Sequence, residues 1–365
     1  MEKPPFAAPR LIPTLRADLA SLGFIANLKR EAREIEEFYL SEEEREQLRR
    51  KGKIWRWQVL AWWVVKNSIL KLSSFRRILL VVGLVITFTD MSFQSSNSQV
   101  MIQYKPLGAL LIVLVLILEQ KDKLLAHGEL EAGRAVQRAM NPERTPSVPG
   151  WNVWLYTRSA NEVGGDLVDI LRLDGNRFGV TLGDVAGKGL GAALFMVRIQ
   201  STLRALAPDF ESLSDLASKL NFILIRDGMP GKFASLCFAR IDSRGGDLQL
   251  VNAGHMPPLI LSPEGVTELP KGNAALGLSL KSQFDAQTVT LSSGQSFVVY
   301  SDGLTEAQNE HGEFYGVERL KALCMESRSL SPQSFGEKVL ASVSAFEGTA
   351  RKNDDLSLAI LQKSA

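Results

Sequence analysis

Four aspartates in the second half of the chain share one local setting, in which a carboxylate stands at a strand end or beside glycine. They are Asp166 in EVGGD, Asp184 in TLGDVAGKG, Asp302 in VVYSDGLTEA and Asp354 in KNDDLSLAI. Glycine neighbours let the backbone approach closely, and the apolar stretches FGVTL and SFVVY carry Asp184 and Asp302 out of a core to its edge. Carboxylates packed together repel and take up protons unless a divalent ion offsets the charge. Oxygen-only donors select Mg²⁺ or Mn²⁺; Ca²⁺ shares that preference, but the fixed spacing of an EF-hand loop is absent. The rest of the composition agrees, because 3 His and 2 Cys leave little material for a nitrogen- or thiolate-based site.

Other motifs are less productive. GDVAGKGLGAAL places glycines and Lys188 before a helix, yet a phosphate-binding loop needs Ser or Thr after the lysine, where Gly189 stands. Gly187, Gly189 and Gly191 read instead as a tight turn and close helix packing. His255 in NAGH could serve as an acid or base, but a structural role at the turn before Pro257 and Pro258 is the preferred reading. Ser301 has no nearby His-plus-acid pattern to make it a nucleophile. A net charge of +2 suggests no nucleic-acid footprint.

The elements that must position the aspartates are short β-rich runs: VWLY, LVDILRL, RFGVTLGD, ASLCFARI, DLQLVN, PLIL, SFVVYSD and LSLAILQ. Turns at Asp174-Gly175-Asn176, at 243–246 and at Pro263-Glu264-Gly265 join neighbours as hairpins. Helices are expected at 191–207, 215–225, 318–326 and 332–346, with Ser214 and Ser331 as N-caps. Paired strands interrupted by helix pairs indicate an α+β layered sandwich.

Before Gly150 the chain reads differently. Residues 1–53 are polar and are expected to form a helical, cytoplasmic segment with a capping-box pattern at Ser41 and Glu44. Residues 54–118 carry Trp55, Trp57, Trp62 and Trp63, suited to a membrane interface, and then two apolar runs, ILLVVGLVITFT and PLGALLIVLVLIL, separated by SFQSSNSQ. Each run is short for a span, but Arg76, Arg77, Lys121 and Lys123 flank the pair on its outer sides, so a two-helix membrane hairpin with both ends in the cytoplasm is expected. Residues 119–148 read as a helical linker with a weak apolar stripe and two glycines, which needs a partner, here a second copy in a homodimer. Pro142, Pro146 and Pro149 mark the boundary to a domain over 149–365.

In their order, EVGGD, GDVAGKG, NAGHMPP, YSDGLTEA and DDLS resemble the SpoIIE/RsbU-type serine/threonine phosphatases, a bacterial branch of the PPM (PP2C-like) metal-dependent phosphatases. The likeness runs from about Leu130 to Gln362 and includes ELEAGRAVQRAM and NEHGEFYG. It implies an αββα β-sandwich flanked by helices, with two Mn²⁺ or Mg²⁺ ions at one edge. By motif, Asp184 would bridge both ions, Asp166 and the carbonyl of Val185 would bind one, Asp302 and Asp354 the other, and Asp355 would stand just behind them. The implied reaction is hydrolysis of phosphoserine or phosphothreonine by metal-bound hydroxide. The implied substrate is a phosphorylated anti-sigma-factor antagonist or a similar regulator. Val185 and Ala186 follow Asp184 where eukaryotic-type relatives carry a His, and the phosphate-binding Arg of their first motif is missing too. With the hairpin, the whole reads as an inner-membrane protein in contact with lipid whose catalytic domain is cytoplasmic; the alternative is a non-catalytic membrane-anchored binding module.

Overall fold

The computed structural model describes residues 53–89, 92–94, 101–228 and 231–364. These fall into two compact units, divided between Leu124 and Leu125. The reading of a helical segment over 1–53, with its capping box, lies outside the described residues apart from Lys53.

In the first unit, helix α1 (Lys53–Lys71) is followed by α2 (Ser74–Phe88), the short antiparallel strands β1 (Ser92–Gln94) and β2 (Met101–Gln103), and the start of α3 (Lys105–Met140). A methyl group at Gly83 would meet the Gly108 carbonyl at 3.0 Å, and one at Gly108 would meet Thr87 Oγ1 at 2.4 Å, so glycine on both sides permits this close approach of α2 and α3. Arg76 pairs with Glu119 at 3.0 Å and Asp122 at 2.6 Å. The membrane hairpin expected here finds no support: among the described residues no helix is long and apolar enough to cross a bilayer. With 15 residues, α2 rises about 22 Å, against a hydrocarbon core of roughly 30 Å. The apolar start of α3 is not a separate helix either, because α3 continues without a break through Glu119 into the segment read as a linker.

The second unit is a sandwich of two five-stranded antiparallel sheets. One has the order β10-β7-β6-β5-β4, formed by β4 (Leu167–Arg172), β5 (Arg177–Val185), β6 (Ala234–Asp242), β7 (Asp247–Ala253) and β10 (Ala286–Thr290). The other has the order β3-β12-β11-β8-β9, formed by β3 (Trp151–Arg158), β8 (Leu259–Ser262), β9 (Gly265–Glu268), β11 (Ser296–Tyr300) and β12 (Leu356–Lys363). All eight sequence-read runs are strands; β9 and β10 were not foreseen, having little apolar content to mark them.

Period-two alternation builds three cores. Val180, Leu182, Ala239, Phe297 and Leu361 fill the space between the sheets. Leu236 and Phe238 point the other way, against α4 (Leu190–Leu206) and α5 (Leu213–Arg226). Val298, Leu358 and Ile360 face α7 (Val317–Ser327) and α8 (Pro332–Glu347), with the four-residue α6 (Asp302–Thr305) preceding them. This is the expected αββα arrangement.

Two local expectations need correction or confirmation. Ser331 does cap α8, accepting from Ser334 N, with Pro332 at the first turn. Ser214 does not cap α5; Ser212 does, accepting from Asp215 N at 3.2 Å, while Ser214 Oγ accepts from Ala286 N. The stretch after Leu124 finds its packing partner within its own unit: Gln200 Nε2 donates to the Met140 carbonyl at 3.0 Å, and Gln137 meets the loop before β4. Neither the homodimer nor the lipid contact expected for this stretch is supported; Leu125 and Val136 of its stripe stay exposed, and the segment is held to its own unit through Gln137 and the Met140 carbonyl.

Candidate metal centre

The antiparallel pairing of β11 with β12 sets Ser301 opposite Ser357, and Ser301 N donates to the Ser357 carbonyl at 3.0 Å. Asp302 therefore leaves one strand at the edge where Asp354 and Asp355 enter the next. The approach is close enough that a methyl group on Gly303 would lie 1.9 Å from the Asp355 carbonyl, so only glycine fits. In the facing sheet the same logic places Asp184 at the end of β5, opposite Ser235, and Asp166 just before β4, where Leu167 pairs with Gly183.

The two edges meet. Burial raises the Asp184 carboxyl to about 7, helped by the negative charges of Asp302, Asp354 and Asp355. Burial, with repulsion from Asp184 and Asp355, pushes Asp166 well above the ordinary carboxylate range. Asp302 is raised by burial and then by Asp354. All five aspartates singled out in the sequence thus belong to one electrostatic cluster. Asp184 and Asp302 share the wall of a cleft of about 320 Å³, with Phe233, Ser235, His255 and Met256 around it.

Asp355 holds the EVGGD loop. Its Oδ1 accepts from Ala160 N at 2.7 Å, and its Oδ2 accepts from Gly165 N at 2.6 Å and Asp166 N at 3.4 Å. Val185 lies beside this loop, for a methyl group on Gly165 would approach the Val185 carbonyl at 3.1 Å. Gln137 clamps the same loop from α3: its Nε2 donates to the Gly164 carbonyl at 2.9 Å, and Gly164 N donates to its Oε1 at 3.2 Å. Gln137 is 8 % exposed, and nothing in the sequence marked it beyond its place in the helix.

The donor set suits hard cations, since every group is a carboxylate or carbonyl oxygen. Asp166 is 5 % exposed and its Oδ2 has no hydrogen-bond partner, the kind of buried, unsatisfied oxygen that an ion would satisfy. As the side chains stand, no three acidic, histidine or cysteine groups among the described residues are drawn around one point closely enough to hold an ion. The residues fit Mg²⁺ or Mn²⁺ in chemistry, and binding would have to draw the carboxylates together.

His255 is structural, as the turn reading anticipated. Its N donates to Asn252 Oδ1 at 2.8 Å, Asn252 Nδ2 donates back to its carbonyl at 3.2 Å, and its Nδ1 lies 2.8 Å from Ser235 Oγ. Burial lowers its pKa to about 4 against a smaller upward pull from the Tyr300 backbone, leaving the ring neutral.

Residues 174–364, just over half of the chain, match the family described as Stage II sporulation protein E (SpoIIE). The chain belongs to the SpoIIE family. Its second unit has the fold of the PP2C domain of SiaA from Pseudomonas aeruginosa, with 18% identity and a TM-score of 0.58, covering 66% of this chain and 98% of that one. The RsbU and RsbW domains of Rv1364c from Mycobacterium tuberculosis align at 24% identity and a TM-score of 0.51, over 60% and 62% of the two chains. Among relatives in sequence, Protein IcfG of Synechocystis is 30% identical over 220 residues, which is 53% of this chain and 35% of IcfG. The phosphoserine phosphatase RsbU of Bacillus subtilis is 24% identical over 237 residues, 64% of this chain and 70% of RsbU. The match therefore spans about a third of one relative and about two thirds of the other.

Proposed function

We propose that this SpoIIE-family protein is a metal-dependent protein phosphatase that hydrolyses phosphoserine or phosphothreonine on a bacterial signalling regulator of the anti-sigma-factor-antagonist type. The observation that carries this reading is the convergence of Asp184 from one sheet and Asp302 from the other on a single cleft, with Asp166 and Asp354 beside them. The likeness to RsbU, a phosphoserine phosphatase, supports the substrate class.

In this reading Asp166, Asp184, the Val185 carbonyl, Asp302 and Asp354 are the groups that would hold the ions. Once bound, such ions would supply positive charge for the phosphoryl oxygens and would lower the pKa of a water toward neutrality. The chain's own residues do the remainder. Asp355 fixes the EVGGD loop so that Asp166 faces the cluster, and Gln137 holds that loop from the helix side. His255, buried and neutral, shapes the cleft wall without carrying a proton to be transferred.

The deciding experiment incubates the full chain with a phosphoserine protein and Mn²⁺, with a chelator as control. Turnover that requires the metal, and that Asp184→Asn and Asp302→Asn each abolish with the circular dichroism spectrum intact, is the expected result. Metal-independent turnover would exclude the two-ion reading. No turnover, with tight binding of the phosphoprotein, would favour the non-catalytic binding module instead.

We also propose, on the tryptophan-rich segment Trp55, Trp57, Trp62 and Trp63 and without a spanning helix among the described residues, that the chain resides at the surface of the inner membrane with its catalytic unit on the cytoplasmic side. Fractionation of cells expressing the chain with and without residues 54–118 tests this.

A further inference from the structure

A phosphomonoester brings two negative charges to a cleft whose own wall is acidic. Metal ions offset part of that charge, but orienting the phosphoryl group calls for a hydrogen-bond donor of fixed position. The basic side chains around the EVGGD loop and the turn after β5 are mostly engaged elsewhere. Arg158 reaches Glu347 at 2.9 Å, Arg134 pairs with Glu162 at 2.8 Å, and Lys232 donates to the Ala186 carbonyl at 3.0 Å.

Lys188 is placed differently. Its Nζ lies 3.0 Å from Asp354 Oδ2 and donates to the Asn353 carbonyl, and its side chain is 55 % exposed. It sits between Gly187 and Gly189, whose φ values of 104° and 73° are accessible to glycine and strained for other residues, so the turn presents this one side chain at the mouth of the cluster. Its positive charge also acts on Asp302 and on Glu306. The flexible four-carbon stem lets the ammonium move several ångströms without any change in the backbone.

We propose that Lys188 is the phosphoryl anchor of this chain. Resting on the phosphatase reading above, the inference is that Asp354 holds the ammonium until a divalent ion engages that carboxylate, whereupon Lys188 turns to a phosphoryl oxygen. A lysine that counters Asp354 competes with metal, whereas one that grips phosphate assists substrate, so a single substitution should move the two affinities in opposite directions.

The test titrates Mn²⁺ into the metal-free full chain by calorimetry, then inorganic phosphate into the Mn²⁺-loaded chain, for wild type, Lys188→Met, Lys188→Arg and Asp184→Asn. Lys188→Met should bind Mn²⁺ at least as tightly as wild type and phosphate about ten- to a hundredfold more weakly, the range of a charge-assisted hydrogen bond. Lys188→Arg, which keeps the charge, should restore part of the phosphate affinity. Unchanged phosphate affinity in Lys188→Met, or loss of its Mn²⁺ binding, would overturn the assignment. Wild-type Mn²⁺ binding by Asp184→Asn would instead remove the metal centre on which the inference rests.

Discussion

Asp184 and Asp355 show how one residue type does opposite things at one site. Asp184 is buried and also faces like charge, so its ionised form is disfavoured, whereas Asp355 is surrounded by backbone N–H groups that hold it in place. Replacing Asp184 by Asn should therefore weaken Mn²⁺ binding and yet raise the melting temperature measured in chelator, because a repelling charge is lost. Replacing Asp355 by Ala should leave three N–H donors unsatisfied near the loop and cost roughly 2–3 kcal/mol in urea unfolding. These two outcomes separate a ligand of the ion from a support of its loop. The candidate ligand aspartates were legible in the sequence because each sits at a strand end or beside glycine. Composition and spacing did not separate Asp354 from Asp355; the family resemblance set Asp355 behind the ion, and its hydrogen bonds to the EVGGD loop give that place a physical reason.

At the scale of elements, the C-terminal part of α3 joins the EVGGD loop through a two-point clamp from Gln137 to Gly164. Gly164 is two residues from Asp166, so loosening the clamp should reach the metal through the loop. Gln137→Ala should reduce Mn²⁺ affinity by roughly tenfold, the usual effect of losing a group that orients a ligand, and should also lower the melting temperature in chelator, because the Gly164 N–H and carbonyl lose their partners. A variant that loses stability but keeps its Mn²⁺ affinity would make Gln137 a packing residue only. The sequence announced a helix here that needed a partner, through Gly128, Gly133 and a weak stripe. It did not say which partner. A buried amide side chain carries no periodic signature, and its hydrogen bonds run to a loop 27 positions away.

For the whole molecule, the clustered carboxylates set a pH dependence. Asp184, with a folded-state pKa raised from 3.8 to about 7, and Asp166, also raised, bind protons more tightly in the folded chain than in the unfolded one. The favourable contribution of Asp184 is complete below about pH 4 and lost as pH rises through about 7, and that of Asp166 falls in the same direction. Metal-free protein should accordingly melt on the order of several degrees lower at pH 8 than at pH 5, and saturating Mn²⁺ should abolish or reverse the difference; equal melting temperatures in chelator at both values would contradict the cluster. Alternating apolar residues and glycine-bearing turns determined the sandwich from the sequence alone, because period and turn chemistry are local properties. Strands with thin apolar content, β9 and β10, were recruited by pairing with β8 and β7. The helical hairpin before the sandwich was read as membrane-spanning because composition registers apolarity, whereas a span also demands length, and 15 residues of α2 fall short. That Asp166, Asp184, Asp302 and Asp354 share one site, and that Lys188 stands against the last of them, only tertiary structure decided: electrostatic coupling depends on distance in space, which the order of residues along the chain does not contain.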